Sequence, residues 1–226
     1  MISKTGATKS SPQHDDGRSQ RRRVTVAVVI LGAVVTGALY YVYQSSSAAQ
    51  APQTGGISGD SRTPPVSGQP GRGETAPDFS LASSTGGTMS LASQRGKTTL
   101  LYFQEGLTCQ PCWDQIKDLQ AAEPALKAAG IDQVVSITTD PIDLITRKAE
   151  DEGLTIPVLS DPDLVVSREY HANDYGMMGT SRDGHTFLLI DTQGKILWRG
   201  DYGGAPNYTM FVPTDQLLAD LKAGMT

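Results

Sequence analysis

Residues 98–112 read TTLLYFQEGLTCQPC, and their order decides the fold. Thr98–Gln104 is a short apolar run rich in β-favouring residues, which predicts a buried strand. Beyond a brief loop, Cys112, Ile116, Leu119, Ala122 and Leu126 recur at helical spacing on one face. The two cysteines, Cys109 and Cys112, therefore stand where a strand's loop meets the start of a helix. Pro124 is expected to kink that helix and Gly130 to end it.

Outward from this stretch the same punctuation recurs. Gln133–Thr138 (QVVSIT) predicts a second buried strand, parallel to the first. Asp140-Pro141 predicts a helix start, with the aspartate as N-cap, and Gly153 its end. Asp161-Pro162 repeats the signal before a short helix reaching about Tyr170. His185–Asp191 (HTFLLID) and Lys195–Arg199 predict two strands joined through Thr192-Gln193-Gly194. Thr214 is expected to cap a last helix carrying Leu217, Leu218 and Leu221. The fold class is α/β, a mixed central sheet flanked by helices.

The chain has 226 residues, 38% hydrophobic and 19% charged, which excludes a multi-span membrane protein. Its net charge of −5 is uneven. Residues 1–23 carry six basic and two acidic side chains, so +4, and residues 24–43 carry none. The remainder is −5 − 4 = −9. An acidic body argues against nucleic acid as a partner. Two cysteines exclude a disulfide-dense scaffold and a four-cysteine zinc site.

Val24–Tyr43 is an uncharged run of about 30 Å as a helix, the thickness of a bilayer core. Arg21, Arg22 and Arg23 precede it, and no basic residue follows until Arg62. This predicts a single-pass cell-membrane anchor, with residues 1–23 a disordered cytoplasmic tail and the rest extracytoplasmic. A cleaved leader is the competing reading, from the small-x-small Ala49-Gln50-Ala51. Residues 44–75, poor in large apolar side chains, read as a flexible linker. The folded domain is then 76–226, long enough for one core.

The chemistry rests on the cysteine pair. A helix N-terminus offers free N–H groups and partial positive charge, so a thiol there ionises more readily, and the thiolate is the nucleophile. A second thiol one turn on can resolve a mixed disulfide. The residue types alone leave other readings open. A structural bridge would close too small a ring to stabilise much. Half of a zinc site would need His171 or His185. Inert thiols fit poorly with an oxidising surrounding. Glu105, Asp114 and Asp118 lie close in sequence and oppose the helix effect. Thr108 and Trp113 flank the pair, Pro111 lies within it, and all three are candidate site neighbours. His185 opens a strand whose loop should face the helix start, and Met177-Met178 read as a loop cover.

Residues 76–223 resemble the thioredoxin-like superfamily in its peroxiredoxin branch, the alkyl hydroperoxide reductase and thiol-specific antioxidant group. The resemblance lies in APDFSL (76–81), GKTTLLYF (96–103), the cysteine pair, ITTD (137–140), IPVLSDPD (156–163) and HTFLLIDTQGKILW (185–198). It implies a thioredoxin-like fold and thiol redox chemistry. The chain departs from both patterns. With Cys112 aligned to the peroxidatic cysteine of Pro-x-x-x-Thr-x-x-Cys, Glu105 takes the proline position and Cys109 the threonine. The active-site arginine falls near Gly184, with Arg182 nearby. A thioredoxin cis-proline is missing, since no proline lies between Pro162 and Pro206. Copper-delivery proteins of the Sco kind share the fold, an anchor and a histidine where His185 stands, but space their cysteines one residue wider.

These readings converge on a membrane-anchored thiol–disulfide oxidoreductase without a cofactor. Cys109 is the expected nucleophile and Cys112 the resolver, acting on a protein disulfide. In a thiol peroxidase the roles exchange: Cys112 is peroxidatic, Cys109 resolves, and the substrate is a peroxide. A copper-binding module would use both cysteines and His185. Oligomeric state is not legible in the sequence.

Overall fold

A computed structural model describes residue 65 and residues 67–226. The predicted cytoplasmic tail, membrane anchor and most of the linker lie outside the described residues. Among the described residues, no helix is long and apolar enough to cross a membrane.

Seven strands form one sheet: β1 (Ser80–Ser83), β2 (Thr88–Ser90), β3 (Thr99–Phe103), β4 (Gln133–Thr138), β5 (Val158–Ser160), β6 (Thr186–Ile190) and β7 (Ile196–Asp201). Their order is β2-β1-β5-β4-β3-β6-β7. β3 pairs in parallel with β4, and β4 with β5. β6 runs antiparallel to β3 and to β7. The mixed sheet is therefore as expected, with β1, β2 and β5 added to the four predicted strands. β1, β2 and β5 have only three or four residues each, too few to show a period.

β3 is central and buried along its whole length, which is why its sequence is continuously apolar rather than alternating. Leu100 and Tyr102 face one core layer with Trp113, Ile116, Ile145 and Leu217. Leu101 and Phe103 face the other, with Phe79, Val166 and Tyr170. The first layer is roofed by α1 (Gln110–Ala121), α2 (Glu123–Ala128), α3 (Ile142–Asp151) and α5 (Thr214–Met225), and the second by α4 (Val165–Glu169).

Three local expectations are corrected. Instead of a kinked helix to Gly130, α1 stops at Ala121 and α2 restarts at Glu123, with Pro124 in its first turn, where the missing N–H is unneeded. Asp140 does not cap α3; Pro141 holds the cap position with no side-chain hydrogen bond. Thr214 is the first residue of α5 rather than its cap, and its hydroxyl donates to Asp118 at 2.7 Å.

The domain also begins before residue 76. Gly68 N donates to Asp201 Oδ2 at 2.7 Å, and Gly73 N to the Ile196 carbonyl at 2.8 Å. The fully buried Arg199–Asp201 pair anchors this lead-in segment. Arg199 Nη1 donates to the carbonyls of Gln69 at 2.7 Å and Tyr170 at 2.7 Å. Residues 67–75 are thus part of the fold, because their backbone satisfies a buried charge pair on β7.

Candidate active site

Cys109 and Cys112 are bonded to each other, with their Cα atoms 5.3 Å apart. Cys109 is the N-cap residue of α1, and Pro111 sits in the first turn. The Cys112 amide donates back to the Cys109 carbonyl at 3.1 Å, so one turn of backbone sets the two sulfurs side by side. Their exposure differs in a way that assigns roles. Cys109 is 8% exposed and Cys112 is 0% exposed, so the pair can be approached only from the Cys109 side. Met210 completes a small buried cluster with the two cysteines.

The loop ahead of the pair is held on every side. Gln104 Oε1 accepts the Gly106 amide at 3.1 Å. The Gly106 carbonyl accepts Trp113 Nε1 at 3.1 Å and the Cys109 amide at 3.0 Å. Gly106 has φ +92°, and a Cβ there would stand 1.8 Å from Asp140 Oδ2, so this position takes only glycine. Asp140 Oδ2 accepts the Leu107 amide at 2.7 Å, while Arg182 Nη1 donates to the Glu105 carbonyl at 3.0 Å.

The three nearby carboxylates are each engaged elsewhere. Glu105 Oε1 accepts the amides of Met177 and Met178. Asp118 Oδ2 accepts from Thr214. Asp114 pairs with Lys117 at 2.8 Å, and hydrogen bonds from Lys117 and Gln110 hold its carboxyl below the usual range. Gln110, between the cysteines, also reaches Glu152 at 3.3 Å and receives Lys148 at 3.1 Å. Lys117, Lys148 and Gln110 lower the Glu152 carboxyl to about 2. Lys148 Nζ further lies 5.7 Å from the centre of the Trp113 ring.

The other sequence-predicted neighbours divide. Trp113 is fully buried and braces the loop, whereas Thr108 and Pro111 are exposed beside Cys109. His185 is fully buried just ahead of β6, among Tyr102, Phe187 and Tyr202. Its Nδ1 lies 2.9 Å from the Tyr102 hydroxyl. Burial drives its pKa down to about 3, so the ring stays neutral. Among the described residues, no three His, Cys, Asp or Glu side chains group as metal ligands, so Cys109, Cys112 and His185 do not come together as a copper set. Met177 and Met178 are exposed in their loop.

Sequence reasoning missed Asp140, Met210 and the part played by Arg182. Asp140 reads as a helix cap, and Met210 follows a proline-containing loop far along the chain. Arg182, which lies near but not at the position of the peroxide motif's arginine, bonds the Glu105 carbonyl and Asp140. The cis Ala205–Pro206 bond lies beyond β7 and not ahead of β6.

A family model for AhpC/TSA proteins matches residues 72–199, which takes in the cysteine pair, the braced loop and every strand up to Arg199. The chain belongs to the AhpC/TSA family. Peroxiredoxin Bcp of Escherichia coli K12 is 35% identical to this AhpC/TSA chain over 127 residues, 55% of the chain and 81% of the relative. The crystal structure of peroxidoxin BcpB from Mycobacterium tuberculosis matches with a TM-score of 0.56 at 22% identity, covering 68% of the chain and 97% of that structure. A Chlorobium tepidum structure provisionally described as thiol:disulfide interchange protein DsbE matches with a TM-score of 0.51 at 26% identity, covering 69% and 98%. The fold is thioredoxin-like, and this AhpC/TSA chain is a thiol-based redox enzyme.

Proposed function

We propose that the protein is a thiol–disulfide oxidoreductase that cycles the Cys109–Cys112 pair outside the cytoplasm, held there by a membrane anchor at residues 24–43. The observation that carries the redox reading is the bond itself. Cys109 takes the sequence position of the peroxide motif's threonine, and Cys112 is sealed from solvent. In the reducing direction the Cys109 thiolate attacks a substrate disulfide, and one substrate sulfur leaves as a thiolate. The Cys112 thiolate then attacks the Cys109 sulfur and expels the second substrate thiolate. Two electrons pass to the substrate, and the enzyme ends in the disulfide form. The placement rests on the uncharged twenty-residue run behind three arginines.

The second reading, a thiol peroxidase, is favoured by the 35% identity to peroxiredoxin Bcp. There the Cys112 thiolate attacks one peroxide oxygen and becomes a sulfenic acid, while the O–O bond breaks and the other oxygen leaves as hydroxide or alkoxide. Cys109 condenses with it and water leaves. The full burial of Cys112 weighs against direct attack on a peroxide. Steady-state turnover separates the two. The oxidoreductase reading expects faster reduction of a disulfide-bonded peptide than of hydrogen peroxide by the reduced enzyme. Peroxide turnover that exceeds disulfide turnover overturns it. Protease accessibility in intact cells tests the placement: a domain that stays protected until the membrane is breached defeats it.

A further inference from the structure

One ion pair holds both shoulders of the loop that leads into the cysteines. Arg182 Nη1 donates to the Glu105 carbonyl at 3.0 Å and pairs with Asp140 Oδ1 at 3.0 Å. Asp140 Oδ2 accepts the Leu107 amide at 2.7 Å and the Thr138 hydroxyl at 3.3 Å. The guanidinium thus grips the residue before Gly106, and the carboxylate grips the residue after it. Gly106 passes between them with no room for a side chain, and its carbonyl carries the hydrogen bonds from Trp113 and Cys109. The Asp140 side chain is 7% exposed and that of Arg182 is 29% exposed, so the pair is largely sheltered from screening.

We propose that Asp140 and Arg182 are positioning residues for the redox pair, acting through the backbone of Leu107 and Glu105 to set where Cys109 stands against Cys112. The proposal rests on the reading that the pair cycles, and it is independent of the substrate. Cys112 is fixed by α1. Cys109 is the cap residue, with no side-chain cap bond; its carbonyl is tied to the helix through the Cys112 amide and its own amide to the loop through the Gly106 carbonyl, so its place depends on the loop as well as on the helix. Closing a disulfide depends on how often one thiol meets the other, and that frequency falls when one end is released. A loosened loop therefore favours the dithiol.

The test is equilibration of the full chain with a glutathione buffer: the protein disulfide plus two glutathione thiols gives the dithiol plus oxidised glutathione. Arg182→Met is expected to shift this constant about tenfold toward the dithiol, which for a two-electron couple is about 30 mV. The Leu107 amide should also exchange its hydrogen faster. Arg182→Lys, which keeps a positive charge and a hydrogen-bond donor on a long side chain, is expected to stay within about twofold of the parent. Asp140→Asn is expected to shift the constant in the same direction as Arg182→Met, and serves if Arg182→Met fails to fold. A constant unchanged in Arg182→Met despite faster Leu107 exchange overturns the proposal, as does an Arg182→Lys shift equal to that of Arg182→Met. If the parent pair never equilibrates with glutathione, the proposed function falls and takes this inference with it; equilibration of the parent with unmoved variants removes this inference alone.

Discussion

Met210 shares a buried cluster with Cys112, which has no exposure of its own, and with Cys109. The contact is made by the segment that runs from β7 to α5. That segment is pinned to α1 at Val212, whose amide donates to Gln115 at 2.6 Å, and at Thr214, bound to Asp118. The cover on the bridge is therefore fastened to the helix that carries the bridge. Removing Met210 to alanine is expected to open a path to the bridge. Reduction by dithiothreitol, followed by thiol release, should run several-fold faster. Unfolding in urea should cost about 2–4 kcal/mol less, the usual loss for a truncated core methionine. An unchanged reduction rate would show that Met210 does not limit access.

The unequal exposure of the two sulfurs gives a trapping experiment. Cys112→Ser is expected to accumulate a mixed disulfide between Cys109 and its substrate, visible on non-reducing gels and by mass. Cys109→Ser should trap little, because the remaining thiol is buried. Equal trapping by both variants, or more by Cys109→Ser, would reverse the assignment of nucleophile and resolver.

Two buried groups give opposed pH dependences. His185 stays neutral in the fold to about pH 3, while an ordinary histidine takes up its proton near 6.5. Between those values the unfolded chain holds the extra proton, so this group makes stability rise with pH. Asp183 behaves the other way. Burial raises its pKa well above 3.8, with the charge of Asp161 adding to the effect and the Ser167 hydroxyl opposing it. Above 3.8 the folded state holds the proton, so this group makes stability fall with pH. In the acidic range below pH 6.5 the two dependences therefore oppose each other. Relative to the parent, Asp183→Asn should gain stability as pH rises through this window, and His185→Gln should lose it. Urea titrations across the window check both signs.

Gly106→Ala is expected to be among the most damaging single changes near the site. The new methyl group would meet the Asp140 carboxylate, and φ +92° is unfavourable for any L-residue with a side chain. A loss of at least about 2 kcal/mol is expected. Gly130→Ala shares the positive φ but meets no atom within 4 Å, so it should cost less. A comparison of the two by thermal unfolding separates the clash from the backbone strain.

Much of this was legible before any coordinates. Thr98–Gln104 and Gln133–Thr138 announce themselves as strands because both faces of each are buried. The cysteine pair announces the helix start because its spacing and Pro111 fit no other place as well. What stayed hidden depends on contacts remote in sequence. Asp140 followed by Pro141 has every mark of a helix cap, yet its carboxylate turns toward Leu107 and Arg182. Local preference favours a cap, and the unpaired amide of a partly buried loop competed for the same oxygen and won. Glu105, Asp114 and Asp118 looked like a negative field around the thiols, because a linear reading cannot see the amides and lysine that occupy them. Met210 carried no signal at all, since its placement follows from how β7 hands the chain to α5.

The anchoring of Gly68–Pro70 on the Arg199–Asp201 pair bears on how the domain is to be produced in isolation. A gene fragment cut at Ala76, the boundary that composition suggests, would delete the Gln69 and Pro70 carbonyls and the Gly68 amide. A guanidinium and a carboxylate in the interior would be stripped of neighbours, an expensive defect in a protein of this size. Expression clones for the folded domain should start upstream of Gly68.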